Sequence, residues 1–135
     1  WLWRHLNNLK LKYIGYGGKG YQIRDILYVD DFSSLIKKQI LTFSKINNQL
    51  FCIGGGKGNS LSLKQLTNKC QKLTNNHPPI GSVKKTSKYD IPFFITSNKK
   101  IKKFYNWSPR TNINIILKKN LEWLKKNNKK IKKFF

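Results

Sequence analysis

Helix-type and strand-type patterns of apolar residues alternate along the first part of the chain. Leucines recur at helical spacing in residues 1–10, which predicts the end of a helix that begins before the first residue. Residues 11–14 and 23–29 are apolar runs typical of short strands, and a glycine-rich turn separates them. Asp30 or Asp31 can cap the helix that follows. The predicted apolar face of that helix contains Leu35, Ile36, Ile40 and Phe43.

The middle of the chain repeats the order of strand, turn and helix. A polar turn is predicted at residues 45–49, and a short apolar strand at residues 50–53 leads into the glycines at residues 54–56. Ser62 and Gln65 have the spacing of a capping box, in which each side chain pairs with the main-chain N–H of the other residue. The helix that they open is predicted to bury Leu63, Leu66, Cys70 and Leu73.

The last part of the chain begins with a break at residues 75–79. Residues 90–96 are predicted to form an apolar strand, and Pro92 near its start favours an edge position. Asn98 is expected to cap a short helix that ends at Trp107-Ser108-Pro109. Its apolar positions are Ile101 and Phe104, and those of a final amphipathic helix are Ile113, Ile116, Leu117, Leu121 and Leu124. Residues 125–135 are predicted to be a lysine-rich fraying tail.

These elements predict an α/β protein with few short strands, four or five helices and long connections, rather than a self-contained doubly wound sheet. A chain of 135 residues can form one modest domain. We assign that domain to residues 1–124 and the tail to residues 125–135.

The net charge of +23 does not by itself point to nucleic acid. The chain has 25 Lys, 15 Asn and 15 Ile but no Ala and only 3 Arg, as expected from an A- and T-rich genome. A protein that reads nucleic acid also needs arginine for bidentate contacts to guanine. Nucleic acid is therefore an unfavoured partner.

Membrane and secreted classes are not supported either. No apolar run approaches the ~20 residues of a membrane helix, and the start lacks the apolar core of a secretory signal. Cys52 and Cys70 belong to no CxxC or Cys/His pattern. They are predicted to be reduced, buried thiols of a cytoplasmic protein and not a disulfide or a metal site.

Glycine motifs and catalytic motifs carry little weight here. Gly15, Gly17 and Gly20 fit the spacing G-x-G-x-x-G, but a strand-like run follows them instead of a helix, so we interpret the match as accidental. Residues 54–58 lack the order of a phosphate-binding loop and are predicted to form a structural turn. The chain has no paired carboxylates, no Ser–His–Asp set and no Tyr-x-x-x-Lys, so it carries no visible reaction by itself.

Arg24 is the strongest candidate for a binding residue. It is one of 3 arginines in a chain with 28 basic residues. A guanidinium can clamp an anion with two parallel hydrogen bonds, which an ammonium group cannot do. The alternative is a surface arginine that follows a turn.

Several segments occur in the order found in one enzyme family. They are Gly15–Lys19, Gln22–Asp31, Phe51–Gly56, Asn59–Leu63 and Trp107–Pro109. Together they resemble the C-terminal half of NAD-dependent nucleotide-sugar epimerases, which belong to the extended short-chain dehydrogenase/reductase family. The resemblance covers roughly residues 10–128 and is greatest to CDP-paratose (CDP-tyvelose) 2-epimerases.

The resemblance implies a nucleotide-sugar-binding role, with a CDP-sugar as substrate and NAD as cofactor. The residues that bind NAD and the Tyr-x-x-x-Lys base would lie in an N-terminal half that is absent from this chain. That half, or a homodimer partner, is the implied protein partner. Arg24 matches the family arginine that contacts the diphosphate, and Gln22 would line the site if the strand alternates. A cytoplasmic role in lipopolysaccharide O-antigen sugar biosynthesis, without a membrane partner, is also implied.

Three positions depart from the family pattern. Cys52 stands in place of the usual Asn, Ser87 in place of a second diphosphate arginine, and Ser97 in place of an aspartate. Lys88 can supply charge beside Ser87, but only as a point charge without the arginine fork. Three hypotheses therefore stay open: the substrate-binding part of an epimerase, a non-catalytic remnant of one, or a basic nucleic-acid-binding module.

Overall fold

The computed structural model describes residues 1–43 and 48–134. Its helices and strands are α1 (Leu2–Leu6), β1 (Leu11–Ile14), β2 (Ile23–Asp25), α2 (Val29–Leu41), β3 (Ser60–Ser62), α3 (Leu63–Thr74), β4 (Ile80–Val83), α4 (Lys99–Tyr105) and α5 (Ile113–Ile131). Short 3₁₀-helices occur at Tyr16–Gly18, Lys57–Asn59 and Lys132–Phe134. The predicted α/β class with few short strands and four or five helices is confirmed. Residues 45–47 of the predicted polar turn and Phe135 of the predicted tail lie outside the described residues.

The chain forms two compact units. Unit 1 comprises Trp1–Gln22, Ser62–Pro92 and Asn114–Phe135, and unit 2 comprises Ile23–Leu61 and Phe93–Ile113. In the part of the chain that the structure describes, no helix has the length and apolar character needed to cross a bilayer.

Unit 1 is built on a parallel pair of strands. Leu11 of β1 lies opposite Ile80 of β4, and the register continues to Ile14 opposite Val83. The bounds predicted for β1 are confirmed, whereas β4 was not predicted. Its four residues include Gly81 and directly follow two prolines, so only pairing with β1 identifies them as a strand.

The core of unit 1 lies against α3. Cys70 on this helix is fully buried, and Thr67 one turn earlier accepts hydrogen bonds from Trp1 Nε1 (3.0 Å) and the Tyr13 hydroxyl (2.8 Å). The rings of Trp1 and Tyr13 are stacked, with centroids 5.7 Å apart. The predicted capping box is confirmed, because Ser62 Oγ accepts from Gln65 N–H and Gln65 Oε1 from Ser62 N–H.

The helices at the two ends of unit 1 differ from their predictions. Helix α1 ends at Leu6, so Leu9 is not part of it. The fraying tail predicted from residue 125 is wrong for residues 125–131, which continue α5. Asn128 explains this difference, because its side chain accepts from Trp3 Nε1 (3.0 Å) and exchanges hydrogen bonds with the Asn7 carboxamide.

Unit 2 encloses a core of Leu35, Ile101 and Trp107, with Phe51 and Ile53 packed against it. Strand β2 pairs with β3 and is bridged in parallel by Phe93 at Ile23. The Trp107 indole N–H donates to Ser34 Oγ (3.0 Å), which satisfies the polar edge of the largest core side chain.

Two carboxylates hold the loops of unit 2. Asp31 is buried, and its Oδ2 accepts from the main-chain N–H groups of Arg110 (3.2 Å) and Thr111 (2.9 Å). Asp25 accepts from Gly56 N–H (2.8 Å) and from the Thr96 hydroxyl (3.3 Å). The predicted capping role of Asp30 or Asp31 is wrong, because the N-cap of α2 is Tyr28 and both acids lie in the first turn.

Three predicted strands are shorter than expected or missing. The run at residues 23–29 is extended only over Ile23–Asp25, since α2 begins at Val29. Residues 50–53 are not a strand, and residues 90–96 supply only the bridge at Phe93. A strand requires a hydrogen-bonded neighbour. Among the described residues, the first run finds one only at Ile23–Asp25 and the last only at Phe93, and residues 50–53 form no ladder.

The apolar faces predicted for three helices are only partly buried. In α2, Leu35 is buried, whereas Ile36 and Ile40 are exposed. In α3, Cys70 is buried but the three predicted leucines are half-buried, and in α4 Ile101 is buried but Phe104 is exposed. Asn98 is the N-cap residue of α4, as predicted, but its side chain makes no capping hydrogen bond and pairs with Gly54 instead.

Replacing Asp31 tests the loop-holding role of its carboxylate. Asp31→Asn keeps the shape but weakens two charge-assisted hydrogen bonds, so the free energy of unfolding should fall by about 1.5–3 kcal/mol. Urea unfolding measures this loss, and hydrogen exchange at the Thr111 amide should become faster. Glu122→Gln makes the same change from carboxylate to amide at an exposed position of α5, so it is the control and should change stability by less than ~0.5 kcal/mol. Equal losses in both variants would contradict the role of Asp31.

His5 should make unit 1 sensitive to acid. Its side chain is fully buried, Nδ1 lies 3.1 Å from the Trp1 carbonyl oxygen, and Nε2 has no partner among the described residues. Burial lowers the pKa of His5 below its ordinary value of 6.5. The unfolded chain therefore takes up the proton first, and the free energy of unfolding should decrease as the pH falls below about 6.5.

Urea unfolding at pH 7.5, 6.5 and 5.5 measures this dependence. His5→Gln should flatten the slope, whereas His77→Gln at an exposed loop position should preserve it. An unchanged slope in His5→Gln would show that another group controls the acid sensitivity.

Candidate functional site

Arg24 projects from the central strand of unit 2. The strand is fixed on one side by β3 and on the other by the bridge to Phe93. Arg24 is exposed, and its Nη1 donates to the Ile23 carbonyl oxygen at 2.7 Å. The neighbouring Asp25 turns its carboxylate to the loop at Gly56. A guanidinium with five N–H donors is thus held at the surface by a well-anchored backbone.

Gln22 lies in unit 1, in a polar cluster that forms around Gly15. A Cβ atom added at Gly15 would lie 3.4 Å from Gln22 Nε2, 3.5 Å from Thr86 Oγ1 and 3.6 Å from Asp90 Oδ2. Gln22 Nε2 donates to the Ile14 carbonyl oxygen, and its buried Oε1 has no partner among the described residues. The expectation that Gln22 and Arg24 alternate on one strand is wrong, because β2 begins at Ile23.

Lys88 lies in the loop that carries Thr86 and Asp90. Its Nζ is 4.9 Å from the ring centroid of Tyr89, in a cation–π contact at an exposed position. Tyr16 ties this loop to the glycine turn, because its N–H donates to Thr86 Oγ1 (2.7 Å) and its hydroxyl to the Asp90 carbonyl oxygen (2.6 Å).

The structure therefore brings Gln22 and the loop of Lys88 together in unit 1, while Arg24 belongs to unit 2. Tyr16 and Thr86 were not recognised from the sequence as residues of this cluster. Tyr16 has a positive φ of 47°, which is unusual for a residue other than glycine and marks the turn as special. This angle is visible only in the structure, so no signal in the sequence identified Tyr16.

The glycine turn of unit 1 does not fit a dinucleotide. Gly18 and Gly20 have positive φ, and a Cβ would lie 1.8 Å from Ser82 Oγ at Gly18 and 2.8 Å from the Tyr13 ring at Gly20. These glycines are required by the chain's own side chains, and the turn leads to β2 instead of a helix whose amides could face a pyrophosphate. NAD therefore has no binding residues in this turn.

The second glycine cluster has a structural role at two of its positions. A Cβ at Gly54 would lie 2.4 Å from Asp25 Oδ2, and one at Gly55 would lie 2.0 Å from the Ile26 carbonyl oxygen. This loop needs glycines because it crosses the end of β2 at close range.

The two cysteines are free thiols in different surroundings. Cys70 is buried, and burial raises the pKa of its thiol to about 11. The expectation of a buried thiol is wrong for Cys52, which is exposed. Among residues 1–43 and 48–134, no group of three or more His, Cys, Asp and Glu side chains could hold a metal ion.

Curated relatives of this chain are nucleotide-sugar epimerases. It is 31% identical over 106 residues to a CDP-paratose 2-epimerase from Salmonella typhi, covering 78% of this chain and 31% of the relative. It is 30% identical over 114 residues to a UDP-glucuronate 4-epimerase from Thermodesulfobacterium geofontis, covering 81% of this chain and 32% of the relative. The chain thus spans about a third of the length of these relatives. No family model matches it.

Solved structures share the fold. A UDP-glucose 4-epimerase from Thermotoga maritima, determined with UDP-glucose, matches with a TM-score of 0.72 and 25% identity, over 93% of this chain and 38% of that chain. The Bordetella bronchiseptica enzyme WbmF, determined with NADH, matches with a TM-score of 0.76 and 21% identity, over 98% of this chain and 37% of that chain. By sequence and by fold, this chain belongs to the family of NAD-dependent nucleotide-sugar epimerases.

Proposed function

We propose that this chain is the C-terminal, substrate-binding part of an NAD-dependent nucleotide-sugar epimerase similar to CDP-paratose 2-epimerase. Its task is to bind the diphosphate of a nucleotide-sugar, with a CDP-sugar as the favoured substrate. Support for this substrate class comes from the two curated relatives, which are epimerases of CDP- and UDP-linked sugars by name. The solved neighbour with UDP-glucose supports the same class.

The exposed guanidinium of Arg24 is the observation that carries the proposal. The strand that presents it is anchored on both sides, so the backbone position of Arg24 is fixed before a ligand binds. A diphosphate offers pairs of oxygens that match the planar fork of a guanidinium. Lys88 and Gln22 stay predictions that rest on the family resemblance, Lys88 for charge and Gln22 for a hydrogen bond to the ligand.

Epimerisation requires a redox cofactor, and the glycine turn of unit 1 does not fit one. NAD would supply the oxidation and reduction of a sugar carbon, and its binding residues belong to another part of the enzyme. This chain contributes the recognition and orientation of the nucleotide end of the substrate. We place this activity in the cytoplasm and connect it with the sugars of lipopolysaccharide O-antigens, as the similarity to CDP-paratose 2-epimerase suggests.

An exposed apolar face on α2 is the proposed contact with that cofactor-bearing part. Residues at positions three and four apart share one side of a helix, and on α2 this side is apolar but exposed. It consists of Val29, Phe32, Ile36 and Ile40, continued by Phe43 after the helix. Leu50, also in unit 2, is 85% exposed at the start of the strand-like run that lacks a partner. An exposed apolar face of this kind marks an interaction surface. The curated relatives are about three times as long as this chain, so they contain a part that can cover it.

Arg24→Lys tests the diphosphate contact. Losing the bidentate geometry should weaken binding of CDP and UDP by about tenfold or more. Arg4→Lys is the matched control, because Arg4 is also exposed and also donates from Nη1 to a main-chain carbonyl oxygen, at 2.8 Å. Lys19→Ala removes an exposed charge near the glycine turn. Calorimetric or NMR titration of the full chain gives the dissociation constants.

Both controls should change the dissociation constant by less than about twofold. Equal effects of all three variants would remove Arg24 from the site. Absence of any nucleotide binding, including in a fusion to the cofactor-bearing part of a relative, would favour the non-catalytic remnant. Strong, salt-dependent binding of random DNA would instead favour the nucleic-acid-binding module.

Ile40→Glu tests the apolar face of α2. In the isolated chain Ile40 is 71% exposed, so the free energy of unfolding should change by less than ~0.5 kcal/mol. In a fusion to the remaining part of the Salmonella typhi relative, the new carboxylate would be buried against apolar groups and should cost about 2 kcal/mol or more. Urea unfolding of both proteins gives the comparison.

Lys37→Glu introduces the same side chain at another exposed position of α2 and is the control for that comparison. It should leave both proteins unchanged. A similar response of the isolated chain and the fusion to Ile40→Glu would show that α2 does not meet the cofactor-bearing part.

A further inference from the structure

A cavity of about 330 Å³ lies in unit 2, and the residues assigned to the diphosphate are not part of its lining. Two loops form its walls, one after the glycine cluster and one before α5. The lining residues are Gly55, Gly58, Asn59, Asn98, Ser108, Pro109, Arg110, Thr111 and Asn112. We propose that this cavity is a second anion site, which binds a small phosphate-bearing molecule through the guanidinium of Arg110.

Arg110 is the only charged residue in the lining. It is one of 3 arginines among 28 basic residues, so it carries a planar guanidinium in a chain whose other basic residues are mostly lysines. Arg4 and Arg24 each donate to a main-chain carbonyl oxygen. Across the described part of the chain, the Arg110 side chain makes no hydrogen bond or ion pair, and only its main-chain N–H is engaged. Its donors are therefore available to an oxyanion.

Gly58 leaves open space in the lining of the cavity. A Cβ atom added there would meet nothing within 4 Å, in contrast to Gly54 and Gly55, which are crowded by the protein itself. Packing therefore does not explain a glycine at this position, whereas close approach of a ligand to the backbone does. Ser108 also lines the cavity and carries a hydroxyl group that can donate a hydrogen bond.

Hydrogen bonds hold both walls in place before any ligand arrives. Asp31 fixes the main chain at Arg110 and Thr111, and Asn59 Nδ2 donates to the Thr111 carbonyl oxygen at 2.8 Å. Asn98 pairs with both the N–H (3.2 Å) and the carbonyl oxygen (2.9 Å) of Gly54. Walls that are held in this way cost little ordering entropy when a ligand binds.

The size and charge of the cavity define the ligand class. A volume near the lower end of the range for ligand pockets suits a small molecule such as a monosaccharide phosphate. The Asp31 carboxylate lies behind the loop and opposes an anion, although two amide donors already offset its charge. The guanidinium is therefore required, and binding should be lost without it.

Titration of the full chain with inorganic phosphate and with glucose 1-phosphate, at constant ionic strength, tests the proposal. In ¹H–¹⁵N spectra the signals of Gly58 and the Arg110 side chain should shift and saturate, and equal chloride should not shift them. Arg110→Ala should weaken binding by about tenfold or more. Gly58→Leu, which places a side chain in the open space, should have a similar effect. Arg4→Ala is the control and should bind as the wild type does.

Shifts spread over lysine signals without saturation would overturn the proposal, since they indicate general attraction of anions by a chain of charge +23. Unchanged affinity in Arg110→Ala would do the same. Arg110→Lys should retain the fold and lose affinity, which separates a binding defect from unfolding. Arg24→Lys should leave this site intact, so failure here and failure of the diphosphate proposal are distinguishable.

Discussion

Hydrogen bonds from the main chain to two carboxylates are the interactions on which unit 2 depends. Asp25 holds the loop at Gly56, and Asp31 holds the loop at Arg110. The chain has 5 acidic residues against 28 basic ones, and these two accept main-chain amides from residues far away in sequence. Both proposed anion contacts follow from this arrangement, because Arg24 precedes Asp25 on β2 and Arg110 is positioned by Asp31.

The net charge indicates little about the function of this protein, whereas the positions of particular charged side chains indicate more. Lysines cover the surface of both units, but an ammonium group is a mobile point charge with no directional fork. The guanidinium of Arg24 lies on an anchored strand, and that of Arg110 lines a cavity with fixed walls. Exposed apolar residues on α2 add a surface that water does not favour, which supports an assembly larger than this chain.

Local signals were predicted well. The capping box of Ser62 and Gln65 is confirmed because it depends on residues near one another in sequence. The bounds of β1 are confirmed as well, although this strand pairs with the distant β4. Predictions that needed a partner were less successful. Residues 50–53 have the composition of a strand, yet they pair with no strand in the part of the chain that the structure describes. Residues 125–131 look like a tail by composition, and pairing of Asn128 with α1 keeps them helical.

The amino-acid sequence by itself determined the α/β class, most helices, the family resemblance and the candidate status of Arg24, since these follow from periodicity, capping and motif order. Tertiary structure alone decided that Asp31 anchors a loop, that Gln22 lies beside Thr86 and Asp90, and that Arg110 lines a cavity. These features join residues separated by up to 80 positions, and such contacts depend on packing that no local pattern encodes.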